Sequence, residues 1–346
     1  MLGLDVGIDL GTATILIYIK GKGVVMREPS VVAIDQNTNK ILAVGSEAKR
    51  MLGRTPGNVV AVRPLQSGVI ANYTMTEAMI RHFLKKIMSG VNRFLRHRVM
   101  IGVPSGATDV ERRAVLEAAL EVGAKEAYLI EEPMAAAIGA GLPVEEPRGN
   151  MVVDIGGGTS DIAVISLGGL VVAESLRLGG DAMDEAIIRY VRKKHNLEIG
   201  SQTAELLKIS IGNCRKVSGS ELKSMVVKGR DIILGLPRQV ELTTNDVQEA
   251  IEEIVSSIIR SIRRVLELTP AELSADIIDR GIVLTGGGAL LQGLPELIFE
   301  QTGINTYVAE SPLECVALGT GKALEELSAL KEAGAVYSSI KRVSSR

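Results

Sequence analysis

Asp9-Leu10-Gly11-Thr12 and Asp154-Ile155-Gly156-Gly157 are one short design written twice, and the fold follows from reading the two together. Residues 6–19 alternate β-branched side chains about a glycine turn, which reads as strand, tight turn, strand; residues 151–166 repeat the pattern. The copies stand about half a chain length apart, so two related halves are expected, each opening on a hairpin. Between the hairpins, residues 99–103 read as a strand ending at Pro104. Thr108-Asp109-Val110-Glu111 has capping-box form and starts a helix expected to run through Glu121. Residues 127–130 give another strand, and the Ala-rich stretch 133–141 suits a helix packed closely against a neighbour. In the second half, Val247, Ile251, Ile254, Val255, Ile258, Ile262 and Val265 keep one face of residues 246–268 apolar, predicting the longest helix, which Thr269-Pro270 ends. Residues 281–285 form a buried-type strand that runs into Gly286-Gly287-Gly288 and a further helix. Strands alternating with helices make the class α/β. The least patterned stretches, 35–64 and 213–237, read as smaller insertions, one on each half.

Composition narrows the function classes. The chain has 346 residues, enough for two domains, and a formal net charge of −2 with 23% charged residues. That balance offers no footprint for nucleic acid, which demands concentrated Lys and Arg. Hydrophobic residues reach 46% while aromatics are 3% and Trp is absent, so the core is expected to be aliphatic. No stretch approaches the ~18 apolar residues of a membrane span, and Asp5 and Asp9 stand where a signal peptide would be basic and then apolar. Cys214 and Cys315 are isolated thiols, consistent with a reducing cytosol. His82, His97 and His195 form no cluster and are read as surface residues.

Three glycine clusters are candidate phosphate cradles: Gly11, Gly156-Gly157-Gly158 and Gly286-Gly287-Gly288. Glycine lets backbone N–H groups approach a phosphate, and the last cluster is expected to add a helix N-terminus. Neither a dinucleotide fingerprint nor a P-loop is present, so paired hairpins would have to hold the phosphates. Asp9 and Asp154 close strands that should be buried. A carboxylate there either caps its own turn or binds a hard cation such as Mg2+.

Gly7-Ile8-Asp9-Leu10-Gly11-Thr12, Ile130-Glu131-Glu132-Pro133-Met134-Ala135-Ala136-Ala137, Asp154-Ile155-Gly156-Gly157-Gly158-Thr159 and Leu284-Thr285-Gly286-Gly287-Gly288-Ala289 resemble, in order, the phosphate-1, connecting, phosphate-2 and adenosine motifs of the actin, sugar-kinase and heat-shock-chaperone ATPases. Segments 58–68 around Arg63-Pro64, 103–108, 179–186 and 235–238 narrow the likeness to the MreB-like bacterial actins, over about residues 6–325. The resemblance implies an actin-like fold of two related lobes with ATP and Mg2+ in the cleft between them. It implies a first lobe of residues 1–32, 75–141 and 317–346 with a small subdomain 33–74. The second lobe would be 142–181 and 246–316 with a small subdomain 182–245. By position it implies that Glu132 orients the attacking water, with Thr159 beside it near the γ-phosphate. Asp9 and Asp154 would hold Mg2+. Gly11, Thr12, Ala13, Gly156, Gly157, Gly158, Thr159, Gly286, Gly287, Gly288 and Ala289 would hold the nucleotide, and Glu205 and Lys208 would border the nucleoside. Adjacent residues of an extended segment point opposite ways, so only one of Glu131 and Glu132 can face the nucleotide; spacing does not decide which, and the resemblance selects Glu132.

Two departures stand out: Thr14-Ile15 where the family usually has Asn-Thr, and Ser201-Gln202 where Gly-Glu is common. Both bear on nucleotide affinity. The resemblance further implies a slow ATPase coupled to head-to-tail assembly of copies of the chain into filaments, working with cell-wall synthesis and cell-shape membrane proteins. It places the chain in the cytoplasm, peripheral to the inner face of the plasma membrane. Phe94 and Leu95 in a basic loop are one candidate membrane contact. A tail with Val336, Tyr337, Ile340 and Val343 on one helical face is another, and a frayed end the simpler reading of it. The other class the residues admit is a soluble ATPase switch or small-molecule kinase that does not polymerise.

Overall fold

The structure is a computed structural model describing residues 3–38, 40–87, 97–121 and 123–338. Two large sheets carry the architecture. The first has six strands in the order Val336–Ser338, Glu126–Glu131, Arg98–Val103, Asp5–Leu10, Thr14–Ile19, Gly23–Pro29. The second has five: Gly169–Leu176, Ser160–Ser166, Asn150–Ile155, Ile282–Thr285, Thr306–Val308. In each, the strand that ends in the repeated Asp runs antiparallel to the hairpin partner after it and parallel to a later strand on its other side. Each third strand pairs through a register slip, at Ile17/Tyr18 in one sheet and Val164/Ile165 in the other. The repeat legible as four residues is thus a repeat of whole sheets.

Three buried apolar clusters glue the layers. One is built on the six-stranded sheet with Met79, Phe83 and Leu84 of the helix Tyr73–Ile87, and one on the five-stranded sheet with the apolar face of the helix Thr244–Leu268. The third lies between the sheets: Met100, Tyr128 and Ile130 face Val152, Ala163 and Ile165 across the helices Glu132–Gly139 and Cys315–Ala323. These two helices touch backbone to backbone. A Cβ at Gly319 would stand 1.7 Å from the carbonyl oxygen of Ala135, and one at Gly139 would stand 1.8 Å from that of Cys315. That is the neighbour the Ala-rich stretch calls for.

The expected caps form. Thr108 N–H donates to Glu111 Oε2 at 2.7 Å and Glu111 N–H to Thr108 Oγ1 at 3.3 Å, opening the helix Asp109–Glu121. The long helix begins at Thr244, two residues early, because Thr243 and Asp246 form its capping box. The weakly patterned stretches contribute to small sheets that reach beyond them: Val32–Asp35 with Ile41–Val44 and Val59–Val62, and Ser224–Asp231 with Pro237–Thr243 and Leu197–Glu198.

Three expectations are corrected. Gly286-Gly287-Gly288 does not open an α-helix: Gly286 has φ 78°, only a 3-10 turn spans Gly287–Leu290, and the α-helix starts at Leu294 after Gly293, itself at φ 76°. His97 is buried, and its Nδ1 accepts from Leu4 N–H at 3.3 Å, tying the turn before one strand to the start of another; His82 is exposed and His195 half-buried. The tail residues Val336–Ser338 form neither helix nor frayed end but a strand on the edge offered by Glu126–Glu131. Phe94 and Leu95 lie outside the described residues, as do Ile340 and Val343. Among the described residues no helix is long and apolar enough to cross a membrane.

Candidate functional site

The tips of the two hairpins meet across a cavity of about 460 Å³. The second tip is glycine for a steric reason. A Cβ at Gly157 would come 2.5 Å from the Ala13 Cβ, and one at Gly158 would come 2.3 Å from Thr12 Oγ1, so any side chain there forces the tips apart. Thr12 Oγ1 also accepts from Gly68 N–H at 3.1 Å, which brings in the first small insertion. Asp9, Gly11, Thr12, Ala13, Glu132, Asp154, Gly156, Gly157, Gly158, Thr159, Glu205, Lys208, Gly286, Gly287 and Gly288 all line this one cavity. Ala289 does not; it is buried beneath the 3-10 turn in the core of the second sheet.

The floor of the cavity is a concentration of carboxylates. Burial, then the charge of Asp154, pushes Asp9 up to about 8. Burial pushes Asp154 up to about 7, against a hydrogen bond donated by Thr285 Oγ1 at 2.8 Å, with Asp161 adding to the rise. Glu132 is raised well above the ordinary range by burial and by Asp161, Asp9 and Asp154. Like charges held together out of water are unstable alone and favour a cation among them. Asp9 and Asp154, buried side by side and each raised, are hard oxygen donors of the kind that would hold a hydrated hard cation. The donor chemistry therefore fits Mg2+.

The choice between adjacent glutamates is made by what lies behind them. Glu131 turns away, where Arg112 Nη2 donates to its Oε1 at 2.9 Å, and Glu132 is left facing the cavity. Glu205 and Lys208 border the cavity but do not pair with each other. Lys49 reaches Glu205 at 2.8 Å from the first lobe, and Lys208 pairs with Asp184 at 2.8 Å while donating to Gly180 O at 2.8 Å. Burial raises Asp184 to about 6 despite that lysine.

Two groups escaped the sequence reading. Asp161, fully buried on Ser160–Ser166, accepts from Ser105 N–H at 3.1 Å and Ser105 Oγ at 2.8 Å. Its signal was a lone acid in an apolar run two residues after Thr159. Arg63 pairs with Asp181 across the cleft, which only the folded chain reveals because they lie far apart in sequence.

The family model described as MreB/Mbl protein matches residues 3–332. The chain belongs to the MreB/Mbl family. It is 54% identical over 331 residues to the cell shape-determining protein MreB of Escherichia coli K12, covering 94% of each chain. It is 50% identical over 331 residues to the cell shape-determining protein Mbl of Bacillus subtilis 168, covering 95% of this chain and 98% of that one. Among solved structures, MreB5 of Spiroplasma citri bound to ADP superposes with a TM-score of 0.89 at 36% identity, covering 95% of this chain and 98% of that one. The two sheets and the cleft between them are the actin-like fold of that family.

Against the usual MreB/Mbl pattern, the two departures are accommodated. Ile15 is 1% exposed and packs in the core of the first sheet, while Thr14 lines the cavity, so the missing hydroxyl at position 15 removes no group that faces the cleft. Gln202 Nε2 donates to Lys49 O at 2.9 Å and Leu52 O at 3.4 Å, bonding the helix Ser201–Ile211 to the end of the helix Ser46–Met51. A carboxylate at 202 could not donate to those carbonyls.

Proposed function

We propose that this chain is an ATP-dependent filament protein that helps determine cell shape by organising cell-wall synthesis at the inner membrane face. The observation that carries the reading is the facing pair of Asp-Gly hairpins, with Glu132 and Thr159 on one cavity, in a chain of the cell shape-determining family. Solved MreB5 structures hold ADP and AMPPNP, which supports adenine nucleotide in the same cleft here. The hairpin amides and glycines cradle the phosphates, and Glu205 and Lys208 border the nucleoside. Asp9 and Asp154 would hold Mg2+, which would supply neutralisation of the phosphate charge there. Glu132 orients the attacking water beside the Thr159 hydroxyl. Hydrolysis is slow and serves assembly, as the family resemblance implies. The four-part division given by the resemblance belongs to the same proposal; the two small three-stranded sheets support it, one within residues 182–245 and the other within 33–74 but for Val32.

Copies of the chain stacked head to tail are the expected polymer, on anionic lipid and in company with cell-shape membrane proteins. The test is sedimentation and light scattering of the purified protein with ATP and Mg2+, with and without anionic vesicles. Nucleotide-dependent pelleting is expected, enhanced on vesicles. Absence of polymer under every condition would overturn the assembly reading, and turnover stimulated by a small acceptor without polymer would favour a kinase.

Asp154→Asn tests the cation assignment. ATP should bind the unchanged protein more tightly with Mg2+ than with a chelator, and the variant with one affinity in both. Because the change removes a buried like charge yet leaves an acceptor for Thr285, the nucleotide-free fold should melt no lower than before. Undiminished Mg2+ dependence in the variant would move the cation elsewhere.

A further inference from the structure

Arg112 is the least explained charge near the cleft. It sits on the helix Asp109–Glu121, does not line the cavity, and keeps only 13% of its side chain exposed. Besides holding Glu131, it donates from Nε to Ala107 O at 3.1 Å and from Nη2 to Ser105 O at 3.5 Å. Tyr337 of the last strand closes over it: the ring centroid lies 4.2 Å from the guanidinium carbon, and the hydroxyl donates to Glu131 Oε1 at 3.3 Å. The Arg112 Nη1 atom is buried with no partner among the described residues, an expense that stability alone does not reward.

What Arg112 grips explains it. Glu131 is the residue before Glu132, so fixing one fixes the backbone that aims the other. Residues 105–107 are the turn whose Ser105 donates twice to Asp161, two residues past Thr159 in the opposite lobe. One planar, forked cation therefore holds the residue before Glu132 directly and, through the 105–107 turn, the strand that follows Thr159, a geometry a point-charge ammonium cannot copy. We propose that Arg112 is a positioning residue for ATP hydrolysis, holding Glu132 through Glu131 and Thr159 through the Ser105–Asp161 link.

The proposal rests on the reading of the cleft as an ATP-hydrolysing site. Misplacing a catalytic group by an ångström can cost ~100-fold. Arg112→Met combined with Glu131→Gln removes the pair without stranding a charge, and Arg112→Lys keeps the charge without the fork. Each is measured for ATP affinity, for kcat against KM, and for melting temperature. For the double variant we expect unchanged ATP affinity and a kcat lowered roughly 10- to 100-fold; the lysine variant should fall in between. On a Glu132→Gln background neither change should slow hydrolysis further, since the group being positioned is gone. Full kcat in either variant, a loss that appears in KM alone, or losses that multiply with Glu132→Gln would overturn the proposal. If the double variant fails to fold, the lysine variant and its Glu132→Gln combination decide the matter. Should the unchanged protein itself not hydrolyse ATP, the reading of the cleft falls as well, and a normal unchanged protein beside normal variants sinks this inference alone.

Discussion

Glu132→Gln should bind ATP with little change and hydrolyse it roughly 10²- to 10⁴-fold more slowly, the range that a positioned acid–base group contributes. The side chain is 7% exposed and opens onto the cavity, and no other hydrogen-bonding side chain of the connecting segment does so. Asp161, Asp9 and Asp154 crowd it with negative charge, so in the proposed role it would orient water most effectively once a cation had satisfied its neighbours. Glutamine keeps the volume and relieves that repulsion, which protects folding and nucleotide affinity while removing the anionic acceptor. If hydrolysis limits filament lifetime, polymers of the variant should persist long after those of the unchanged protein have disassembled. Phosphate release per bound nucleotide, with sedimentation in parallel, checks both statements. The control is Glu131→Gln, which still accepts from Arg112 and should lose less than about tenfold. If the two variants behaved alike, the assignment to Glu132 would fail.

Gly319→Ala should be the most destabilising conservative change in the chain. Alanine is the better helix former by about 1 kcal/mol, so an isolated helix would gain. Here the new methyl would overlap the backbone of Ala135, with its oxygen at 1.7 Å and its carbonyl carbon at 2.6 Å. Backbone cannot swing aside as a side chain does, so both helices must separate and the cluster between the sheets must loosen. Overpacking typically costs 1–3 kcal/mol, and a backbone clash belongs at or above the upper end, about 3 kcal/mol net. Against a total stability of about 5–15 kcal/mol that is a large fraction. Denaturant unfolding measures it, with Gly57→Ala, whose Cβ would meet nothing within 4 Å, as the neutral comparison. A loss under about 1 kcal/mol at Gly319 would mean the helices pack less closely than described.

The parts of the fold that were legible are those whose cause is local. The hairpins, the Thr108 cap and the apolar stripe of the long helix each depend on residues a few positions apart. The resemblance supplied the cavity residues, and Ala289 falls outside because one residue of a tight turn must face inward while its neighbours face out. What stayed hidden depends on partners distant in sequence. His97 looks like a loop residue until Leu4 offers its amide, and the tail looks like a frayed end, or at most a short helix, until Glu126–Glu131 offers a free edge. The decision between Glu131 and Glu132 could not come from spacing, because Arg112 makes it from another helix.

The touching helices set a limit on how the molecule can move. With Gly139 and Gly319 pressed against opposing backbone, and buried apolar side chains filling the space around them, the lobes cannot slide past or draw apart at that level without opening a cavity. The remaining freedom is to turn about the pair, as about an axle. Small shifts near the axle then become large displacements at the rims, where Lys49–Glu205, Arg63–Asp181 and Gln202 join the outer insertions. A fraction of an ångström gained or lost with a terminal phosphate would be read at the far ends as a change of angle, and in a stacked polymer each such angle adds to the next.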